Sequence, residues 1–184
     1  MPPSAPSDSA TDSFDCSAVA EDAHVDPQQA RHFRDVLGRF ASGVTVVTAM
    51  ASDGPVGMTC QSFSSVSLLP PLVMFVPAKT SRAWPKIRAA GHFTVNLLTA
   101  AQEAISTQFA AKGADKYAGI TWTPSATTGA PRISDCLAWI DCTIDAVHDA
   151  GDHEVVIGRV QAMEHGTAEE PLVFYRSAYH RLGE

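Results

Sequence analysis

The stretch Ala138–Met163, AWIDCTIDAVHDAGDHEVVIGRVQAM, decides how this chain is read. Ala138, Ile140, Cys142, Ile144 and Ala146 alternate with Asp141, Thr143 and Asp145. That period of two puts an apolar set on one face of a strand and a polar set on the other. Asp149–Asp152 then reads as a turn, and Glu154–Met163 returns as the antiparallel partner.

The same β signature spreads outward from this hairpin. Gly43–Met50 (GVTVVTAM) is rich in β-branched residues and runs into a turn at Ser52-Asp53-Gly54-Pro55. Val56–Phe63, Leu72–Val76, Phe93–Leu98 and Leu172–Tyr175 supply further strands. Pro70-Pro71 removes two backbone donors, so that stretch belongs at a sheet edge or a crossover. Helices interrupt the pattern. Asp26-Pro27 reads as an N-cap with proline at the first helical position. Phe33, Val36, Leu37 and Phe40 follow as one apolar stripe, with Gly43 as its end. Ser81–Ala90, with Pro85 in its first turn, and Thr99–Ala111 read as two more helices, and 113–135 as loop. The expectation is a mainly β protein with flanking helices, its strands forming an antiparallel barrel.

The 184 residues fit one domain with a substantial core. The net charge of −7 is unevenly placed. Six acids (Asp8, Asp12, Asp15, Glu21, Asp22, Asp26) and no Lys or Arg fall in residues 1–26, leaving fourteen acids against thirteen bases elsewhere. Residues 1–25 read as a disordered acidic tail and 26–184 as the folded domain. No basic stripe is present to engage a phosphate backbone, which argues against nucleic acid. No apolar run approaches a membrane span, and the tail lacks the regions of a signal peptide. Cys16, Cys60, Cys136 and Cys142 form no CxxC pair and read as reduced thiols of a cytoplasmic protein.

Three segments are candidates for chemistry. Gly57-Met58-Thr59-Cys60-Gln61-Ser62 crowds small polar groups into an apolar strand region. Backbone carbonyls could partner them, or a ligand with a polar heteroaromatic edge. Lys79-Thr80-Ser81-Arg82 lies between a strand end and a helix start, where it suits a phosphate or serves as an ordinary Ser cap with solvated charges. Gly151-Asp152-His153 makes a hairpin turn, with His153 either on the surface or in a site. His148 and His153 have no accompanying HExxH or Cys/His cluster, so a metal site is rejected. Walker A, GxGxxG and GxSxG motifs are absent.

Taken together, these segments resemble the small flavin reductases of two-component flavin-dependent monooxygenases. The resemblance is carried by FRDVLGRFASGVTVVTA (Phe33–Ala49), PVGMTCQSFSSVSLLPPLVMF (Pro55–Phe75), KTSRAW (Lys79–Trp84), HFTVNLL (His92–Leu98), GDH (Gly151–His153) and PLVFYRSAYHRL (Pro171–Leu182). It implies a homodimeric antiparallel split β-barrel that binds FAD or FMN without a Rossmann fold and takes hydride from NADH or NADPH. It implies a separate oxygenase that receives the reduced flavin and hydroxylates an aromatic compound in degradation or antibiotic biosynthesis. By position, Gly57, Met58, Thr59, Cys60, Gln61 and Ser62 would flank the isoalloxazine. Val76, Pro77, Ala78, Lys79, Ser81, Arg82 and Ala83 would hold the ribityl and phosphate part, with Lys79 and Arg82 on the phosphate. Gln108 and Phe109 would close the far side, and Tyr175 and Arg176 would stand near the crevice. His153, the catalytic candidate, would orient the nicotinamide. Cys60 departs from the Ala or Ser often found there. A split-barrel oxidase with tightly held FMN and a non-catalytic flavin- or haem-binding protein are the alternatives.

Overall fold

The computed structural model describes residues 26–113 and 115–183; the expected tail at 1–25 lies outside the described residues. Two compact units divide after Leu37. In the first, helix α1 spans Pro27–Leu37. Asp26 caps it as expected: its carboxylate accepts from the Gln28 N–H at 3.3 Å and its carbonyl from Ala30 N–H at 2.9 Å. The stripe Phe33, Val36 and Leu37 lies on this helix, but Phe40 does not. Gly43, expected to end the helix, instead belongs to strand β1 of the second unit.

That unit, from Gly38 onward, contains twelve strands: β1 (Ser42–Gly43), β2 (Thr45–Ala51), β3 (Gly54–Cys60), β4 (Ser64–Ser67), β5 (Leu72–Phe75), β6 (His92–Leu97), β7 (Trp122–Pro124), β8 (Pro131–Ile133), β9 (Ala138–Ala150), β10 (His153–His165), β11 (Val173–Tyr175) and β12 (Ala178–His180). Helix α2 is Trp84–Ala90, and α3 is Glu103–Ala110 after a 3-10 turn at Ala100–Gln102. Thr99 and Gln102 form a capping box at that turn.

Seven strands make one antiparallel sheet in the order β3-β2-β6-β9-β10-β5-β4. Its two edge strands, β3 and β4, are consecutive in the chain and joined only by Gln61–Phe63. So short a link forces the sheet to curl until its edges approach. They do not pair with each other as strands, and the result is the expected split barrel. Pro70-Pro71 sits in the turn between edge strand β4 and β5, a position that needs no ladder donors.

Strand β2 explains the β-branched run. Val47 and Ala49 enter one core with Phe75, Trp84, Phe93 and Val156, while Val46 enters another with Leu98, Phe109, Ile133 and Leu172. A strand buried on both faces needs apolar residues at successive positions. Gly158 has a comparable packing reason: a Cβ there would lie 2.5 Å from the Phe93 ring.

The defining hairpin is longer than expected, with β9 and β10 joined by only Gly151-Asp152 and Gly151 at φ 67. Two details depart from simple alternation. Ala146 faces Ile157 and Ile144 faces Gly158, so Asp145 is an extra residue that shifts the phase. Val147, rather than Ala146, therefore packs with Ile140 and Ile144 on the core. The bulged Asp145 turns outward to Arg159, 2.7 Å away.

The second departure is Asp141, read from the sequence as solvent-facing and found fully buried. Residues 113–135 are not all loop, because β7 and β8 pair as a hairpin. Arg132 from this hairpin reaches Asp141 at 2.6 Å, and Ser125 and Thr94 donate to the same carboxylate at 2.7 and 2.5 Å. Asn96 accepts the Ile133 N–H at 2.7 Å, and Thr48 donates to the Pro131 carbonyl at 2.5 Å. The polar faces of β2, β6 and β9 thus hold the β7–β8 hairpin, satisfying groups whose burial would otherwise be costly.

Candidate functional site

The split is where the sequence-read segments meet. Beyond the end of β3, the Ser62 hydroxyl accepts from the Val76 N–H at 2.9 Å and donates to the Val76 carbonyl at 3.2 Å. The Cys60 thiol lies 3.0 Å from the same hydroxyl. One serine thus links the two sides of the split. Thr45 donates to the Cys60 carbonyl at 2.8 Å and Thr59 to the Ser106 carbonyl at 2.6 Å, so several polar groups of Gly57–Ser62 have protein partners. Gln61 is exposed, and its side chain makes no bond to a described residue. As an edge strand, β3 is paired on one side only, which leaves main-chain groups for a planar polar ligand.

The segment after β5 joins both neighbours. Ser81 donates to the Met58 sulfur at 3.7 Å and accepts from the Trp84 N–H at 3.3 Å, which ties β3 to the start of α2. On its other side, Ala78 and His153 form a β-bridge. The Lys79 N–H bonds to the Asp152 carbonyl at 2.9 Å, and the Glu154 N–H to the Pro77 carbonyl at 3.0 Å. KTSR and GDH, about seventy residues apart in sequence, are therefore adjacent. His153 Nδ1 lies 2.7 Å from the Asp152 carboxylate, and the hydrogen bond from His153 holds that carboxyl below its ordinary range. Arg82 is exposed, and its guanidinium makes no bond to a described residue. An exposed guanidinium on the residue after Ser81, without a bond to a described residue, is suited to a phosphate or pyrophosphate, so the residues present suit a flavin nucleotide.

The remaining residues are placed differently. Phe109 lies behind β3: it is buried, and a Cβ on Gly57 would come within 2.6 Å of its ring. The Tyr117 ring packs edge-on against Phe109 at 5.1 Å, and its hydroxyl donates to the Val56 carbonyl. Burial raises that hydroxyl's pKa. The Gln108 side chain donates to the carbonyls of Asp115, Lys116 and Ala118, while Lys116 returns bonds to the last carbonyls of α3. Gln108 thus staples a loop. Tyr175 ends β11 of the β1-β11-β12 sheet and packs against His180, while Arg176 lies in the turn to β12, its N–H bonded to the Gly38 carbonyl. No described contact brings either to the split. An open groove of about 630 Å³ beside α3, lined by Ala104, Thr107, Gln108 and Arg181 among others, shares only Gln108 with the sequence-read site.

Three residues not singled out from the sequence matter here. Lys79 pairs with Asp149 at 2.6 Å, and Glu154 accepts from the Trp84 indole and from Arg88 at 2.9 Å. Tyr117 is the third. Their only signal is complementarity between residues sixty or seventy positions apart, which no local pattern displays. Cys60, Cys136 and Cys142 are free and buried, and burial pushes the latter two thiols up to about 12. Among the described residues no His, Cys, Asp and Glu cluster could hold a metal ion, and no helix is long and apolar enough to cross a membrane.

Comparison with known proteins bears on this geometry. Residues 37–183 match the flavin reductase like domain. The chain is 50% identical over 159 residues to the reductase subunit HsaB of a flavin-dependent monooxygenase from Mycobacterium tuberculosis, covering 85% of this chain and 83% of that one. Nitrilotriacetate monooxygenase component B from Mycobacterium thermoresistibile superposes with a TM-score of 0.82 at 46% identity, over 85% of this chain and 88% of that one. The NADH:FAD oxidoreductase SgcE6 of Streptomyces globisporus, solved in complex with NAD and FAD fragments, superposes at 0.81 with 35% identity, covering 88% and 97%.

Proposed function

This chain belongs to the flavin reductase like family, and from that premise we propose that it reduces a diffusible flavin with a reduced nicotinamide and passes the free product to a separate oxygenase. The observation that carries the reading is the meeting of Gly57–Ser62, Val76–Arg82 and Gly151–His153 at the split of the barrel. The flavin supplies the ring that accepts hydride; the protein supplies geometry. Ser81 and Arg82 bind the phosphate end. The edge of β3 and Ser62 fix the plane of the ring. His153, oriented by Asp152, sets the nicotinamide carboxamide so that the two rings stack within transfer distance.

FAD and NADH are the favoured pair, since Arg82 is committed to the flavin phosphate and Lys79 lies 2.6 Å from Asp149, which leaves neither for a 2′-phosphate. The oxygenase served would hydroxylate an aromatic compound, and the setting would be the cytoplasm, where reduced nicotinamide is supplied. Mixing the purified protein with NADH and excess FAD, and following nicotinamide oxidation, tests the reading. Rapid oxidation that scales with added flavin supports it. A tightly held FMN that copurifies, or no oxidation at all, overturns it.

We infer two further properties. The active form is a homodimer. Phe40, Leu68, Leu69 and Met163 are 74–89% exposed in the single chain, apolar area that a second copy would cover. Sedimentation at micromolar concentration is expected to give a dimer, and a fully active monomer refutes it. Residues 26–184 carry the activity, so deletion of 1–25 is expected to leave flavin reduction unchanged in steady-state assays.

A further inference from the structure

The two cations of KTSR are committed differently. Arg82 is exposed and makes no bond to a described residue. The Lys79 ammonium instead lies 2.6 Å from the carboxylate of Asp149 on β9. Asp149 stands opposite Glu154 in the β9–β10 register, next to the two-residue turn and the pair Ala150 and His153. The Lys79 main chain reaches the same place, because its N–H bonds to the Asp152 carbonyl. Lys79 thus grips the hairpin tip twice, by backbone at Asp152 in the turn and by side chain at Asp149 on β9. The Ala78–His153 bridge and the Glu154 N–H bond to the Pro77 carbonyl hold the β10 side of this end, and the Lys79–Asp149 pair adds the hold on the β9 side that limits its fraying. His153 sits on that end.

Resting on the reductase reading above, we propose that Lys79 is a positioning residue for the nicotinamide half of the reaction. Through Asp149 it fixes the hairpin tip that carries His153, and phosphate recognition falls to Ser81 and Arg82. The pair is solvent-exposed, 41% and 75%, so it adds little to global stability. Its effect is local, on the angle at which His153 meets the carboxamide.

The experiment is a double-mutant cycle on the full chain, measuring KM for NADH, KM for FAD and the melting temperature. Lys79→Met and Asp149→Asn are each expected to raise the NADH KM by about three- to fivefold, the scale of one exposed ion pair. The FAD KM and melting temperature should not move, and the double variant should be no worse than either single one. Lys79→Arg, which keeps the pair, should restore wild-type behaviour. If Lys79→Met raises the FAD KM while Asp149→Asn does not, Lys79 is a phosphate ligand and the proposal fails. Additive losses, or no change in any variant, also overturn it. A wild-type protein that does not oxidise NADH with FAD would instead remove the reductase reading itself.

Discussion

Asp141→Ala is expected to cost the fold about 3–5 kcal/mol, the scale for removing one member of a buried ion pair. Asp141 is fully buried, and its carboxylate is the shared partner of Arg132, Thr94 and Ser125. Arg132 is itself only 20% exposed. Taking away the carboxylate leaves a largely enclosed guanidinium with only the exposed Glu164, 2.9 Å away, as its ion partner, and deprives the Ser125 and Thr94 hydroxyls of this acceptor. An arginine side chain does not deprotonate in a protein, so Arg132 stays charged and cannot relieve the loss by neutralising. The damage should begin at the β7–β8 hairpin, which Arg132 pins to β9. Trp139, whose indole donates to the Ile133 carbonyl at 2.8 Å, reports there. Urea unfolding followed by tryptophan fluorescence measures the effect. Replacing both partners, as Arg132→Met with Asp141→Leu, should recover part of the loss because no buried charge is left unpaired and Glu164 is exposed to water. A loss below about 1 kcal/mol, the level of an exposed pair, would mean that water reaches the site.

The second large effect separates the two ends of the crevice. Ser81→Ala with Arg82→Ala removes a hydroxyl and a cation from the phosphate end. A hydrogen bond to a charged group contributes roughly 1.5–3 kcal/mol, so flavin affinity should fall at least about tenfold. Turnover at saturating flavin should change little, because neither group reaches the reacting atoms. His153→Ala should behave in the opposite way, sparing flavin binding while weakening use of the nicotinamide. That loss should be moderate, since transfer between stacked rings depends on orientation more than on proton movement. Titration with FAD and then NADH checks both. Flavin lost with His153→Ala but kept in the Ser81/Arg82 double variant would reverse the assignment.

Local pattern carried much of this protein. The alternation at Ala138–Ala146, the β-branched run Gly43–Met50 and the turn residues Gly151-Asp152 fixed a mainly antiparallel β architecture, because each signal is complete within one element. The segments that meet at the split could also be picked out, since their residue types are unusual for where they stand. Phase was harder to read. The Asp145 bulge moved Val147 into the core, and a bulge depends on how two strands pair rather than on either alone.

What only the tertiary structure decided were the partners. Asp141 reads as a solvent-facing residue of a half-buried strand until a hairpin from a Gly-, Thr- and Pro-containing stretch covers it with Arg132. Lys79 and Arg82 read as equivalent cations until the curl of the sheet brings Asp149 to one of them. Gln108 reads as a ligand-facing side chain until the 115–118 loop folds back onto it. In each case the residue's chemistry is written in the sequence. Its partner is chosen by a contact across the fold, and a charge or an amide takes whichever complementary group the closed chain places within hydrogen-bonding distance.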